Sequence, residues 1–306
     1  FASSTRMSQP QGRPPLPGPA DAIADAGLRA LGETEFRLFR DLVFRKSGIT
    51  LNDTKKQLVA SRLARRLRAL GLAGYREYYE HVVNRDPDGG ELRELLNAIT
   101  TNKTDFYRER HHFDFLRTTF FPQCVERARR TGQRRLRIWS AGCSTGEGPY
   151  TLAMTVLSHF PEAAGAWSFE ILATDLDTNV LDRARAGVYP EEVVAPVPPD
   201  QLRRFFRRGT GANEGKVRVT SALTELITFQ QLNFVEQPWP VQGPFDLILC
   251  RNVMIYFNQD TQRRLVEGFA SLLREDGFLF IGHSETLNAG SNSACTNYPN
   301  VRPVNC

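Results

Sequence analysis

The amino-acid sequence predicts an α/β protein: a small all-helical N-terminal domain followed by a doubly wound, mostly parallel sheet with an inserted small β-subdomain. Three observations predict it. Apolar residues recur at three- and four-residue spacing from about Glu33 onward. After residue 135 that period gives way to short apolar runs alternating with helical segments, the signature of βαβ units joined by right-handed crossovers. The two parts also differ in charge: residues 1–135 hold 25 Lys and Arg against 16 Asp and Glu, and the remainder hold 14 against 18. A chain of 306 residues suits two domains at roughly 150 residues each. The expected division is a tail over 1–22, a helical domain over 23–118 and an α/β domain over 119–306, with the β-subdomain at about 190–230.

Phe1 to Arg6 precede Met7 and read as a cloning scar. Ser8 to Ala20 carries Pro10, Pro14, Pro15, Pro17 and Pro19, too many fixed φ angles and missing donors for helix or sheet. Residues 1–22 are therefore expected to be disordered. Phe36, Phe39, Leu42 and Val43 then mark a helix with a glycine stop at Gly48. Asn52, Asp53 and Thr54 are good N-cap types and open a second helix that runs to Gly71. On it Val59, Leu63, Leu67 and Leu70 share one stripe, while Lys55, Arg62, Arg65 and Arg66 fall on a neighbouring arc about 100° wide. That arc is a basic face. Tyr75–Val83 and Glu91–Ile99 supply two more helices, and Arg127–Arg135 reads as a basic linker.

Leu136–Ala141 is strand-like and runs into the turn Gly142–Gly148, followed by a helix over Tyr150–His159. Phe169–Thr174 is a second strand ending at Asp175, with a helix through Arg185 behind it. Phe245–Cys250 and Gly277–Gly282 are further strands, separated by a helix over Thr261–Leu273. The surplus of about 70 residues between the second and third strands exceeds any ordinary crossover. It holds alternating segments at Val217–Thr220 and Ile227–Gln230 and is assigned to the inserted β-subdomain.

Composition excludes several classes. No apolar run reaches the roughly 18 residues of a membrane span. The five cysteines (Cys124, Cys143, Cys250, Cys295 and Cys306) are odd in number and scattered, which argues against a disulfide scaffold or a zinc domain and for a reducing cytoplasm. No metal site is expected. The net charge of +5 leaves an acidic partner or a nucleic acid open, but the Lys55–Arg68 helix lacks the aromatic groups that stack on bases.

The strand ends carry the chemistry. A glycine turn after a first strand lets backbone N–H groups approach a ligand, and Asp175, ending the second, can accept hydrogen bonds from ribose hydroxyls. This signals an adenosine-containing cofactor. The dinucleotide pattern G-x-G-x-x-G and the phosphate loop G-x-x-x-x-G-K-[ST] are both absent. Glu147 in the turn would repel a pyrophosphate and suits S-adenosylmethionine, which carries a sulfonium and an ammonium; the alternative is a helix N-terminal acid favoured by the macrodipole.

Five runs resemble the chemotaxis receptor methyltransferases, the CheR family. They are Thr101–Glu109, Arg137–Glu147, Ala173–Asp177, Cys250–Phe257 and Gly282–Glu285, in the right order and within a similarity covering about Glu33 to Leu287. The resemblance implies a cytoplasmic methyltransferase that moves methyl from S-adenosylmethionine to glutamates on the cytoplasmic helices of chemoreceptors. It further implies that Asn102, Thr104, Arg108, Glu147, Asp175, Asn233, Phe234, Asn252 and Val253 contact the cofactor, and that Arg108 and Tyr256 face the reacting centre. In some members the inserted subdomain adds the receptor's C-terminal pentapeptide as an extra strand, and Arg207–Gly215 resembles their loop. The end of the chain departs from the pattern: a last hydrophobic strand would fall in the Gly/Ser/Asn/Pro-rich region, at Asn300–Val304. The basic arc of Lys55, Arg62, Arg65 and Arg66 would face the acidic substrate. The rival readings are a methyltransferase acting on another protein or on nucleic acid, and a non-catalytic S-adenosylmethionine sensor.

Overall fold

The computed structural model describes residues 30–160, 167–283, 285 and 302–304. The Pro-rich tail and most of the segment after Glu285 lie outside the described residues.

The helical domain follows its punctuation. Helix α1 (Glu33–Ser47) stops at Gly48, whose φ of 73° and N–H to the Phe44 carbonyl make a left-handed cap. A 3-10 turn, Asp53–Lys55, leads into α2 (Lys56–Leu70), and α3 (Tyr75–Asn84) and α4 (Gly90–Ile99) follow. Phe36, Phe39, Val43, Val59, Leu63, Leu67, Tyr78 and Leu95 form their shared core. Leu70, assigned by period to the buried stripe, is instead exposed, since the helix ends there.

The basic arc on α2 is not a free face. Arg66 turns to α4, with Nη2 2.5 Å from Glu91 Oε2 and Nη1 3.7 Å from Glu94; the Tyr78 hydroxyl donates to the same Glu91 at 2.7 Å. Arg62 donates to the carbonyls of Ile99 and Thr100 at 2.6 and 2.7 Å, acceptors that the end of α4 leaves unsatisfied. A period count on one helix cannot see the acids of its neighbour. Lys55 and Arg65 stay exposed.

Beyond residue 100 the packing changes partner. Helix α5 (Arg110–Phe115) passes through a π-helical stretch, Leu116–Phe120, into α6 (Phe121–Thr131). Phe106, Phe113, Leu116, Phe120 and Phe121 bury in the core of the sheet, so by packing the helical domain ends near residue 100 and not at 118. The expected linker at Arg127–Arg135 is mostly helix α6 and the start of a strand. Its Arg127 is committed to an ion pair with buried Asp246.

The α/β domain runs β1 (Arg135–Ala141), α7 (Glu147–His159), β2 (Ser168–Asp175), α8 (Thr178–Ala186), β3 (Val188–Pro190), α9 (Pro199–Phe205), β4 (Phe206–Arg208), β5 (Lys216–Val219), β6 (Ile227–Gln231), β7 (Phe245–Cys250), α10 (Gln259–Leu272), β8 (Leu273–Ile281) and β9 (Arg302–Val304). The main sheet has the order β6-β2-β1-β7-β8-β9, and every pair in it is parallel. All six residues of β7 are buried, as expected of a parallel strand covered on both faces. Ile227–Gln230 does not belong to the inserted subdomain: as β6 it is an edge of the main sheet, Ile171 facing Ile227. An edge strand half-covered by helices alternates like an antiparallel one, which is why the pattern misled. The subdomain itself is the antiparallel sheet β3-β5-β4. At the far edge β9 lies beside β8, with Phe278 facing Arg302. The chain winds outward from β1 in one direction and from β7 in the other, so a crevice opens at the carboxyl ends of these two strands.

Candidate functional site

The crevice is built by two turns. After β1, Gly142 adopts a φ of 80°, and a Cβ there would stand 2.4 Å from Val253 Cγ2. Only glycine therefore lets the two turns close on one another. Ser144 N–H donates to Asp175 Oδ2 at 2.7 Å and Asp177 N–H to Oδ1 at 3.0 Å. Burial pushes the Asp175 carboxyl up to about 6, against the pull of these backbone donors. Asp177 caps α8 and also accepts from Asn102 Nδ2 at 2.7 Å and from the Thr100 hydroxyl at 2.9 Å. The segment joining the two domains is thereby tied to the end of β2.

After β7, Arg251 donates to the Arg108 carbonyl at 2.6 Å. Burial draws this guanidinium down to about 10, with Glu109 opposing. The Tyr256 hydroxyl lies 3.5 Å from the Thr101 carbonyl, and burial raises its pKa. Arg108 donates to the Lys103 carbonyl at 2.8 Å. Asn233 Nδ2 donates to the Lys46 carbonyl, at the end of α1, at 2.7 Å.

Of the residues singled out in the sequence, Asn102, Thr104, Arg108, Asp175, Asn233, Phe234, Asn252, Val253, Tyr256 and Lys55 line one cleft. Glu147 is not on its wall: it is 5% exposed in the first turn of α7, accepts from the Thr145 hydroxyl at 2.7 Å, and has its pKa raised by burial. Arg62, Arg65 and Arg66 do not line the cleft either. Residues not singled out do: Ser47, Ile49, Thr50 and Leu51 from the α1–α2 connection, Ser144, Leu176 and Arg251. Arg251 and Ser144 stood within runs already noted, at strand ends where ligands bind. The α1–α2 connection gave no sequence signal because its role arises from domain packing.

The family model described as CheR methyltransferase, SAM binding domain, matches residues 102–301, and the one described as CheR methyltransferase, all-alpha domain, matches residues 34–100. The chain belongs to the CheR methyltransferase family. The junction between the two matches coincides with the change of packing partner near residue 100. Chemotaxis protein methyltransferase 2 of Pseudomonas aeruginosa is 48% identical over 83% of this chain and 86% of its own length. The chemotaxis protein methyltransferases of Escherichia coli and Salmonella typhimurium are 43% and 42% identical, each over 85% of this chain and 86% of its own. Among solved structures, the glycopeptide N-methyltransferase MtfA complexed with S-adenosyl-L-methionine covers 58% of this chain and 56% of its own at 16% identity, with a TM-score of 0.29, too weak a likeness to bear on the site.

As a member of this family the chain is an S-adenosylmethionine-dependent methyltransferase. The cleft fits that cofactor by its own chemistry: it presents a carboxylate and three carboxamides beside the apolar Phe234 and Val253. No helix among the described residues is long and apolar enough to cross a membrane.

Proposed function

We propose that this chain methylates glutamate carboxylates of chemoreceptors, forming glutamyl methyl esters for sensory adaptation. The observation that carries the proposal is that the candidate cofactor residues at the ends of β2, β6 and β7 share one cleft with Arg108 and Tyr256 and, from the helical domain, Lys55. A glutamate side chain, with a reference pKa near 4.3, is already ionised at neutral pH, so its transfer needs no general base. Bound in the cleft, S-adenosylmethionine supplies an electrophilic methyl group on a sulfonium. Asp175 would take the ribose hydroxyls, and Asn102, Thr104, Asn233, Phe234, Asn252 and Val253 would hold the rest of the cofactor. Glu147, buried behind the turn, supports its shape. Arg108, always cationic, cannot be a base; it would position cofactor and substrate. Tyr256, like any tyrosine, is protonated at neutral pH, burial raises its pKa further, and the hydroxyl can donate a hydrogen bond that aims the carboxylate. In-line alignment and exclusion of water are then the chain's contribution.

Incubation with radiolabelled S-adenosylmethionine and chemoreceptor-containing membranes, followed by alkaline treatment, tests this reading. Volatile methanol is expected; base-stable label would overturn it in favour of N-methylation. Tyr256→Phe is expected to lower kcat while the cofactor Kd stays within a few fold, and wild-type turnover would remove the hydroxyl from the mechanism.

Recognition of an acidic receptor helix falls to Lys55 and Arg65, since Arg62 and Arg66 are engaged within the helical domain. Lys55→Glu with Arg65→Glu is expected to raise KM for receptor and flatten its salt dependence at unchanged thermal stability. The shift is modest, because exposed pairs contribute about 0–1 kcal/mol each. A KM indifferent to both the reversals and salt would exclude the arc from recognition. For the subdomain, strand addition of a receptor's C-terminal pentapeptide is supported by the facing of exposed Arg207 and Arg218 across β4 and β5: like charges opposed in register favour an acidic partner. Such a tether raises effective concentration without changing the chemistry.

A further inference from the structure

Gly282, His283 and Glu285 follow β8 and have no part in the chemistry above, yet Glu285 is bonded to the turn after β7 that lines the cleft. Glu285 is 4% exposed. Its Oε2 accepts from the N–H groups of Gly282 at 2.6 Å and Asn252 at 2.9 Å, and its Oε1 faces Ile255 N–H at 3.3 Å. One carboxylate thus joins the end of β8 to the turn after β7. That turn carries Asn252, Val253 and Tyr256, all on the cleft wall. Asn252 has a φ of 59°, the left-handed region that asparagine enters more readily than other non-glycine residues.

The side chain of Asn252 is approached by a second carboxylate. Glu109 Oε1 lies 3.4 Å from Asn252 Nδ2 and accepts from His283 N–H at 3.0 Å. Space is tight around the first: a Cβ on Gly282 would stand 2.6 Å from Asn252 Nδ2 and 2.8 Å from its backbone N. The glycine is therefore needed where the two turns meet.

We propose that Glu285 is a positioning residue for methyl transfer: by gathering the N–H groups of Gly282, Asn252 and Ile255 it sets the β7 turn so that Asn252 and Val253 meet the cofactor and Tyr256 meets the acceptor carboxylate. The proposal rests on the reading of this cleft as the methyl-transfer site. In Glu285→Gln an amide NH₂ replaces one acceptor oxygen, so at least one of the three N–H groups loses its partner and the turn is released at one end.

The test pairs titration calorimetry with S-adenosylmethionine, which needs no receptor, with steady-state methylation at saturating cofactor. Glu285→Gln is expected to raise the cofactor Kd by about tenfold and lower kcat by about tenfold, while KM for receptor stays within about threefold. Gly282→Ala, whose Cβ would stand 2.6 Å from Asn252 Nδ2 and 2.9 Å from Glu285 Oε2, disturbs the same junction while keeping the carboxylate's charge, and is expected to move the same two quantities the same way. Glu285→Asp, which keeps the charge, is expected to recover part of the loss. Wild-type Kd and kcat in folded Glu285→Gln would overturn the proposal, as would a loss confined to KM. If Glu285→Gln does not fold, Gly282→Ala decides; failure of both to fold would make the run a scaffold element and overturn the proposal as well. A wild-type protein that binds cofactor but forms no glutamyl ester would refute the substrate reading instead, and the calorimetric comparison would still judge Glu285.

Discussion

Asp175→Ala is expected to weaken S-adenosylmethionine binding by ~1.5–3 kcal/mol, about 10- to 150-fold in Kd, the range for a lost charge-assisted hydrogen bond. The carboxylate sits at the end of β2 with both oxygens already oriented by Ser144 and Asp177 N–H groups, so its acceptor geometry is set before a ligand arrives. Its pKa of about 6 adds a pH signature. Cofactor affinity is expected to fall as pH drops through about 6, because the ribose acceptor becomes protonated, and the alanine variant should lack this dependence. The linkage for the free protein has the opposite sign. The folded state holds the Asp175 proton more tightly than an unfolded chain does, so this site favours folding below the ordinary carboxylate range and that contribution is lost as pH rises through about 6. Calorimetry from about pH 7.5 to about pH 5 separates the two, and an affinity unchanged by either the mutation or the pH would remove Asp175 from the cofactor site.

Gly142→Ala is expected to be at least as damaging. A left-handed φ of 80° costs an alanine roughly 1–2 kcal/mol, and the added methyl would meet Val253 at 2.4 Å. Relief requires the β1 and β7 turns to move apart, and those turns are the floor of the cleft. The expected result is a folded protein with a modestly lowered Tm and a cofactor Kd raised by well over tenfold, beyond what the backbone strain alone supplies. Wild-type affinity would show that the turns do not need to touch.

The order of elements and the strand-end chemistry were legible in the sequence because each rests on local signals. The glycine stops at Gly48 and Gly71 and the apolar strand β7 are read from a few neighbouring residues. What was not legible depends on partners far along the chain. Arg66 looked free because Glu91 lies on another helix. Phe113 and Leu116 fell inside the expected helical domain, while they pack on the sheet. Ile227–Gln230 showed a one-sided alternation common to a hairpin and to a main-sheet edge. For Glu147 the turn suggested either a cofactor contact or a helix N-terminal acid, and the first turn of α7 carries it inward, off the cleft wall.

The cleft's two-sided construction bears on how the protein comes apart. One wall is the α1–α2 connection and the other is the strand ends, and the two already meet where Thr50 N–H donates to the Tyr256 carbonyl at 2.8 Å and Asn233 reaches Lys46. The helical core and the sheet core are separate clusters, so heat can melt them as two events. A ligand seated between them binds only while both are folded, and its binding free energy then enters as a penalty on losing either one alone. Cofactor concentration thereby sets the cooperativity of unfolding: two overlapping transitions in its absence should merge into one as it saturates, and the chain at Thr101, an exposed residue between the two domains, should become correspondingly slow to cut with protease.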